Sequence, residues 1–145
     1  MLATTVSSIA HLIQLSVAPV FLLTGVGSIL MVLTNRLGRI VDRSRQLEKE
    51  LPNATDGELT AIHMELGNLS VRASYINWAI SLCVMCALLV CSLIAALFIS
   101  DIIRASMAEF VALLFIASML TLIGALLCFL REIYIAIQNL RIGLH

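Results

Sequence analysis

The chain has 145 residues, of which 61% are hydrophobic and only 12% are charged. About a quarter of the residues in a soluble globular domain are charged, so this composition excludes an ordinary water-soluble fold. Nine basic and nine acidic residues give a net charge of zero, which argues against nucleic acid as a partner. No charged residue precedes Arg36, and none lies between Arg72 and Asp101 or between Glu109 and Arg131. These three uncharged stretches predict a multi-pass membrane protein.

Each uncharged stretch is long enough for a transmembrane helix, which needs about 20 apolar residues. The spans cover about residues 9–34, 76–100 and 108–130. A helix is required because backbone groups in lipid must be hydrogen-bonded within their own segment. The sequence therefore predicts an all-α membrane protein in which residues 1–145 form a single domain, and the lipid bilayer is its first expected partner.

Residues 36–74 are predicted to form a helical hairpin between the first two spans. Turn signals at Leu51-Pro52-Asn53 and Asp56-Gly57 separate two amphipathic helices. The return helix repeats apolar residues at alternating spacings of three and four: Leu59, Ile62, Leu66, Leu69, Ala73 and Ile76. Residues 131–145 continue the third span as another amphipathic helix, with a seam expected to pack against the hairpin and formed by Leu130, Ile133, Ile137, Leu140 and Leu144.

The basic residues predict the orientation in the membrane. Six lie between the first and second spans, whereas the short link between the second and third spans holds Arg104 alone. The excess of Lys and Arg on the inner side of membranes then places the N-terminus outside, and the hairpin and the C-terminus in the cytoplasm.

The residues that would indicate an enzyme are absent from the sequence. There is no phosphate-binding glycine loop, no H-E-x-x-H and no G-x-S-x-G. All four cysteines lie within spans, where neither a disulfide framework nor a zinc site is expected. We therefore expect no catalytic residue, no metal and no cofactor.

Small and polar residues mark certain helix faces in the spans. In the first span, one apolar sector is the candidate for facing lipid: Leu12, Leu15, Pro19, Leu22, Val26, Ile29, Leu33 and Leu37. A second sector is small and polar: His11, Gln14, Ala18, Phe21, Gly25, Ser28, Val32, Asn35 and Arg39. The third span has a helix-packing seam that runs down to Glu132 and contains Ala117, Ser118, Thr121, Gly124, Ala125 and Cys128. The second span has a weaker seam of Asn77, Ser81, Ser92 and Ala95.

Polar residues at depth in a membrane are candidates for function or for helix contacts. Asn35, Asn77 and Glu132 lie at similar depth near the inner interface, where they could hydrogen-bond across helices. No charged residue is found in the middle of any span.

Two classes of function fit these features. The first is a homo-oligomeric pore for ions or small solutes, with His11 at its outer mouth and a lining of Gln14, Ala18, Gly25, Ser28, Asn35 and Arg39. Small residues on two sectors of the first span, more than one three-helix monomer readily covers, favour self-association. The alternative is a non-conducting scaffold or regulatory subunit, which would act through its cytoplasmic helices on an unidentified protein partner.

Three segments resemble a known family. They are SVAPVFLLTGVGSILMVL at 16–33, TNRLGRIVDRSRQLE at 34–48 and FLREIYIAIQNLRIG at 129–143. They are similar to an uncharacterised bacterial family of small three-span membrane proteins, a domain of unknown function. The resemblance covers nearly the whole chain and implies three spans and a bacterial inner membrane. It implies no reaction, cofactor or catalytic residue.

Overall fold

The computed structural model describes residues 2–143, and the side chains of residues 2–140. Each of its three long helices contains a stretch that is long and apolar enough to cross a membrane. The described residues contain no β-strand. The predicted all-α membrane fold with three membrane-crossing helices is therefore confirmed. The helices are α1 (Leu2–Glu50), α2 (Asp56–Ile103) and α3 (Ala108–Gly143).

The connection between α1 and α2 is a short 3-10 segment, Leu51–Asn53, which contains Pro52. Proline lacks a backbone donor, and Pro52 lies just after the end of α1, whereas Pro19 lies within that helix. At the start of α2, the backbone N–H of Thr55 donates to Oε2 of Glu58 at 3.1 Å, which is one of the two bonds of a capping box.

The connection between α2 and α3 begins with an unusual backbone conformation. Arg104 directly follows the last residue of α2 and has a φ of 56°, the only positive φ at a non-glycine position in the described chain. The Ser100 hydroxyl donates to the carbonyl oxygen of Ala105 at 2.7 Å across this turn. A left-handed residue at this position is a common way to end a helix.

The chain divides into two compact units, and each contains part of all three helices. Unit 1 consists of the residues up to Ile29 together with Leu82–Ile123, and unit 2 of Leu30–Ser81 together with the residues from Gly124 onward. Small side chains predominate in the interior of unit 1, as expected where helices in lipid pack closely. Its buried residues are Ser16, Pro19, Val26, Cys83, Cys86, Val90, Leu93, Ala96, Ser118 and Leu122.

The interior of unit 2 is built from larger aliphatic residues on α1 and α2. Leu33, Ile40 and Leu47 are buried at intervals of seven residues on α1, and Ile62, Leu69 and Ile76 are buried at the same interval on α2. This spacing is typical of helices that pack along their length. Ala79, Ala125 and Glu132 complete the buried set.

The predicted lipid-facing sector of the first span is wrong. Val26 and Leu33, which belong to it, are 1% and 0% exposed, and Pro19 is buried as well. Lipid is as apolar as a leucine side chain, so a hydrophobic face in a membrane helix suits protein and lipid equally. The pattern alone therefore cannot distinguish a packed face from a lipid-facing one.

The weak seam assigned to α2 is also wrong as a packing face. Asn77, Ser81, Ser92 and Ala95 are all exposed. The α2 residues that are buried at this depth are Ala79, Cys83 and Cys86, which lie on a different side of the helix. At this depth, small apolar side chains rather than hydroxyls and amides make the buried contacts of α2.

Candidate functional site

The most unusual side chain in unit 2 is Glu132, a carboxylate that is completely buried. It follows Ser118 and Ala125 at intervals of seven residues, and both of those are buried on the same side of α3. Glu132 therefore occupies a core position, where an apolar residue would be expected. A buried carboxylate is costly unless it is paired and hydrogen-bonded.

Two arginines provide those partners. Arg36 on α1 donates from Nε to Oε2 of Glu132 at 2.9 Å, and its Nη2 lies 2.8 Å from the same oxygen. Arg72 on α2 donates from Nε to the other oxygen, Oε1, at 3.0 Å. One carboxylate on α3 is thus hydrogen-bonded to both of the other helices in unit 2.

The two guanidinium groups sit at equivalent positions on their helices. Arg36 lies between the buried Leu33 and Ile40, and Arg72 lies between the buried Leu69 and Ile76. Each arginine lies about one helical turn from the buried residues on either side of it. Both side chains reach Glu132 from this position. The three residues form the buried ion cluster, Arg36–Arg72–Glu132.

The buried ion cluster carries two positive charges and one negative charge. The excess positive charge is only partly removed from solvent, because the Arg36 and Arg72 side chains are 32% and 21% exposed. The Arg36 guanidinium also lies 5.6 Å from the centre of the Phe129 ring, a favourable cation–π distance. The arrangement joins three helices at one point and fixes the rotation of α3.

That rotation overturns the predicted seam on the extension of α3. Leu130, Ile137 and Leu140 are 62%, 51% and 67% exposed, so they are not packed against the hairpin. With Glu132 directed inward to the arginines, these residues face outward. Ile133 is half-buried, and Leu144 lies outside the described residues.

The expectation that polar residues at this depth hydrogen-bond across helices is confirmed for Glu132 and is wrong for Asn35 and Asn77. Asn35 and Asn77 are exposed, and neither bonds to the Glu132 carboxylate, whose described partners are the two arginines. From the sequence, Arg36 and Arg72 indicated the orientation in the membrane, and neither was expected to bond to Glu132. The signal that could have revealed them is a charged residue three positions after an apolar core residue on each of two helices.

A second ion pair, between Arg43 and Glu65, joins the two helices of the hairpin. Arg43 donates from Nε to Oε1 at 2.9 Å and from Nη2 to Oε2 at 3.4 Å, and both side chains are more than 40% exposed. The hydrogen bond and the charge of Glu65 raise the pKa of Arg43 above its ordinary value. This pair is a solvated counterpart of the buried ion cluster.

The candidate pore-lining residues share one property, which is exposure on the surface of the described chain. None of them packs into the interior of its unit, and His11, assigned to the outer mouth, is exposed too. A Cβ placed on Gly25 would meet no atom within 4 Å. The exposed residues are Gln14, Ala18, Gly25, Ser28, Asn35 and Arg39.

The α3 residues assigned to helix packing lie at or near the interior. Ser118 and Ala125 are buried, and Ala117, Thr121 and Gly124 are half-buried. The Ser118 hydroxyl donates to the carbonyl oxygen of Phe115 at 2.7 Å, so its polar group is satisfied within its own helix. On the other side of α3, Leu113 and Leu120 are more than 60% exposed.

The described residues contain no group of three or more His, Cys, Asp or Glu side chains placed to hold a metal ion. The four cysteines are free thiols. All buried side-chain nitrogen and oxygen atoms of the described chain have a hydrogen-bond partner.

These features define a multi-pass membrane protein with three long helices and a carboxylate–diarginine cluster in one of its two units. Residues 16–142 match the family described as "Protein of unknown function (DUF2721)", and the chain belongs to that family. The resemblance of the three sequence segments to an uncharacterised family is thereby confirmed. No curated protein and no solved structure shows a significant match.

Proposed function

We propose that this is a homo-oligomeric, non-enzymatic protein of the bacterial inner membrane, in which α1 lines a pore for ions or small solutes. The observation that supports this proposal is the exposure of the small and polar face of α1, defined by Gln14, Ala18, Gly25, Ser28, Asn35 and Arg39. The N-terminus lies outside, and the hairpin and C-terminus lie in the cytoplasm.

The exposure of the small and polar face supports self-association. Small residues in membrane helices allow backbones to approach closely, where dispersion and hydrogen bonds hold the helices together. Gly25 has free space around it in the described chain, so its small size serves no contact there. A neighbouring copy of α1 is the partner that this surface fits.

A pore requires polar groups along its path that replace part of the hydration of an ion. In a ring of α1 helices, the amides of Gln14 and Asn35 would lie at different depths of the same face. Arg39 would form a ring of positive charge at the cytoplasmic mouth, which favours anions over cations. His11 would lie at the outer mouth of this ring.

A non-conducting scaffold or regulatory subunit is the second candidate. The hydroxyls of α1 favour it, since Thr24 donates to the carbonyl oxygen of Val20 at 3.2 Å and Ser28 to that of Thr24 at 3.1 Å. Donors already used within the helix suit a dry contact between helices. In this case the exposed charges of the hairpin would bind an unidentified cytoplasmic protein.

Two measurements separate the candidates. Cysteine cross-linking at Gly25, in a cysteine-free background, reports whether α1 faces a second copy. Leu113 on the exposed side of α3 is the control position, where cross-linking should be weak. Equal cross-linking at both positions would contradict assembly through α1.

Conduction is measured as ion flux into liposomes that contain the purified protein. Ser28→Leu should reduce flux by obstructing the path, and Arg39→Glu should shift selectivity toward cations. Leu120→Ile, on the exposed side of α3, is the control that should leave flux unchanged. Specific cross-linking at Gly25 together with silent liposomes would support the scaffold and refute the pore.

A further inference from the structure

Unit 1 contains an apolar cavity that shares only Ala18 with the proposed pore lining. Its volume is about 680 Å³, within the range of roughly 300–1,000 Å³ that is typical of small-molecule sites. The walls are formed largely by aliphatic and aromatic side chains, among them Leu93, Leu97, Val111 and Phe115. Since all three helices carrying these walls cross the membrane, a hydrocarbon chain is the available ligand of matching polarity.

Two exposed side chains of opposite charge also line this cavity. Asp101 is the third residue from the end of α2, and Arg104 directly follows that helix. Asp101 accepts one long hydrogen bond, at 3.4 Å from the Ser8 hydroxyl to Oδ1. No ion pair joins either residue to another described side chain. The cavity therefore combines apolar walls with one acidic and one basic group.

The backbone of Arg104 gives an independent reason to look for a role of its side chain. Its φ of 56° lies in the left-handed region, which is unfavourable for residues with a Cβ and favourable for glycine. Glycine is the usual residue at this position after a helix. An arginine here runs against the conformational preference of the turn, so the turn itself does not explain the guanidinium.

We propose that this cavity binds a phospholipid with a phosphoethanolamine headgroup. One acyl chain fills the apolar walls, the phosphate binds the Arg104 guanidinium, and the ammonium group donates to the Asp101 carboxylate. Arginine recognises phosphate through paired N–H donors, and such charge-assisted bonds are stronger than neutral ones.

The pair of charges selects among headgroups. A phosphocholine headgroup keeps the phosphate, but its quaternary ammonium has no N–H to donate to Asp101. A phosphoglycerol headgroup has no positive group, so Asp101 would repel its net negative charge. The site does not depend on the pore, although Ala18 of the small and polar face also borders it.

The test uses the full-length protein, purified in detergent and stripped of lipid. Phosphatidylethanolamine, phosphatidylcholine and phosphatidylglycerol with identical acyl chains are added in turn, and bound lipid is counted by native mass spectrometry. Loss of a charge-assisted hydrogen bond should weaken binding by about tenfold, so phosphatidylethanolamine should bind about tenfold tighter than either other lipid. Equal binding of the three lipids would overturn the proposal.

Arg104→Gly is the decisive variant, because it removes the guanidinium and suits the left-handed backbone. Without lipid it should melt no lower than the wild type, yet its affinity for phosphatidylethanolamine should fall by about tenfold. Ala112→Phe tests the chain-binding part, since Ala112 is an exposed residue of the cavity wall and the ring would occupy its space.

Glu109→Gln is the matched control. Glu109 is an exposed charge in the first turn of α3 that does not line the cavity, so lipid binding should be unchanged. Wild-type affinity in Arg104→Gly would refute the phosphate contact, and wild-type affinity in Ala112→Phe would refute the chain site.

Discussion

Replacing Glu132 with Gln should destabilise the protein more than any other charge-neutralising change of an acidic residue in the described chain. Gln has nearly the same shape, so the change leaves the packing of α3 intact and alters only charge and hydrogen bonding. The carboxylate accepts from Arg36 through Oε2 and from Arg72 through Oε1. A Gln side chain has one acceptor oxygen and an NH₂ group that can only donate. One guanidinium therefore loses its acceptor and faces another donor.

The expected magnitude follows from the burial of the three groups. Removing one partner of a fully buried ion pair costs about 3–5 kcal/mol, because the remaining charge has no compensation. Here the Arg36 and Arg72 side chains are 32% and 21% exposed, so water can solvate part of the freed charge. We therefore expect Glu132→Gln to lower the free energy of unfolding by about 2–3 kcal/mol.

The Arg43–Glu65 pair is a matched control within the same unit. It has the same atom types and the same 2.9 Å distance from Nε to the carboxylate, but both side chains are more than 40% exposed. Exposed pairs contribute about 0–1 kcal/mol, so Glu65→Gln should have a small effect. The difference between the two variants isolates the effect of burial.

The free energy of unfolding can be measured by titrating SDS into mixed micelles, with helix content followed by circular dichroism. A double-mutant cycle with Arg72→Gln adds a second test. The double variant should be less destabilised than the sum of the single variants by about 1 kcal/mol or more, because the partners are in contact. If Glu132→Gln is no more destabilising than Glu65→Gln, or if the cycle is additive, the buried ion cluster does not hold the helices together.

Two further predictions concern topology and the hairpin. Single cysteines at Ser7 and Asn53, in a variant without native cysteines, should be labelled from opposite sides of the membrane in intact cells; labelling of both by an impermeant reagent added outside would refute the proposed orientation. Leu47→Ala should cost about 2–5 kcal/mol in the same unfolding assay, because Leu47 is 1% exposed and its removal leaves a cavity. Met64→Ala, at a residue that is 68% exposed, should stay within about 0.5 kcal/mol of the wild type, and equal losses in the two variants would contradict the observed packing of the hairpin.

The local properties of the chain were readable from the sequence. The three charge-free stretches predicted three helices because lipid leaves the backbone no other way to satisfy its hydrogen bonds. Pro52, together with Asn53 and Asp56-Gly57, marked the turn after α1, because these residues favour turns over helix. The apolar face of the return helix was identified as well, since Ile62, Leu69 and Ile76 are all buried. The other faces of this segment carry polar residues that can contact water, so its apolar face could be recognised in the sequence.

The inward faces of the membrane helices were decided only by the tertiary structure. Val26 and Leu33 were assigned to lipid and are buried, because apolar residues suit both surroundings. The outward direction of Ile137 and the contact of Glu132 with Arg36 and Arg72 depend on how far each helix is rotated about its axis. That rotation is set by contacts between segments that are 60 and 96 residues apart in the chain. No local pattern specifies it, so the site was visible only once the three helices were placed together.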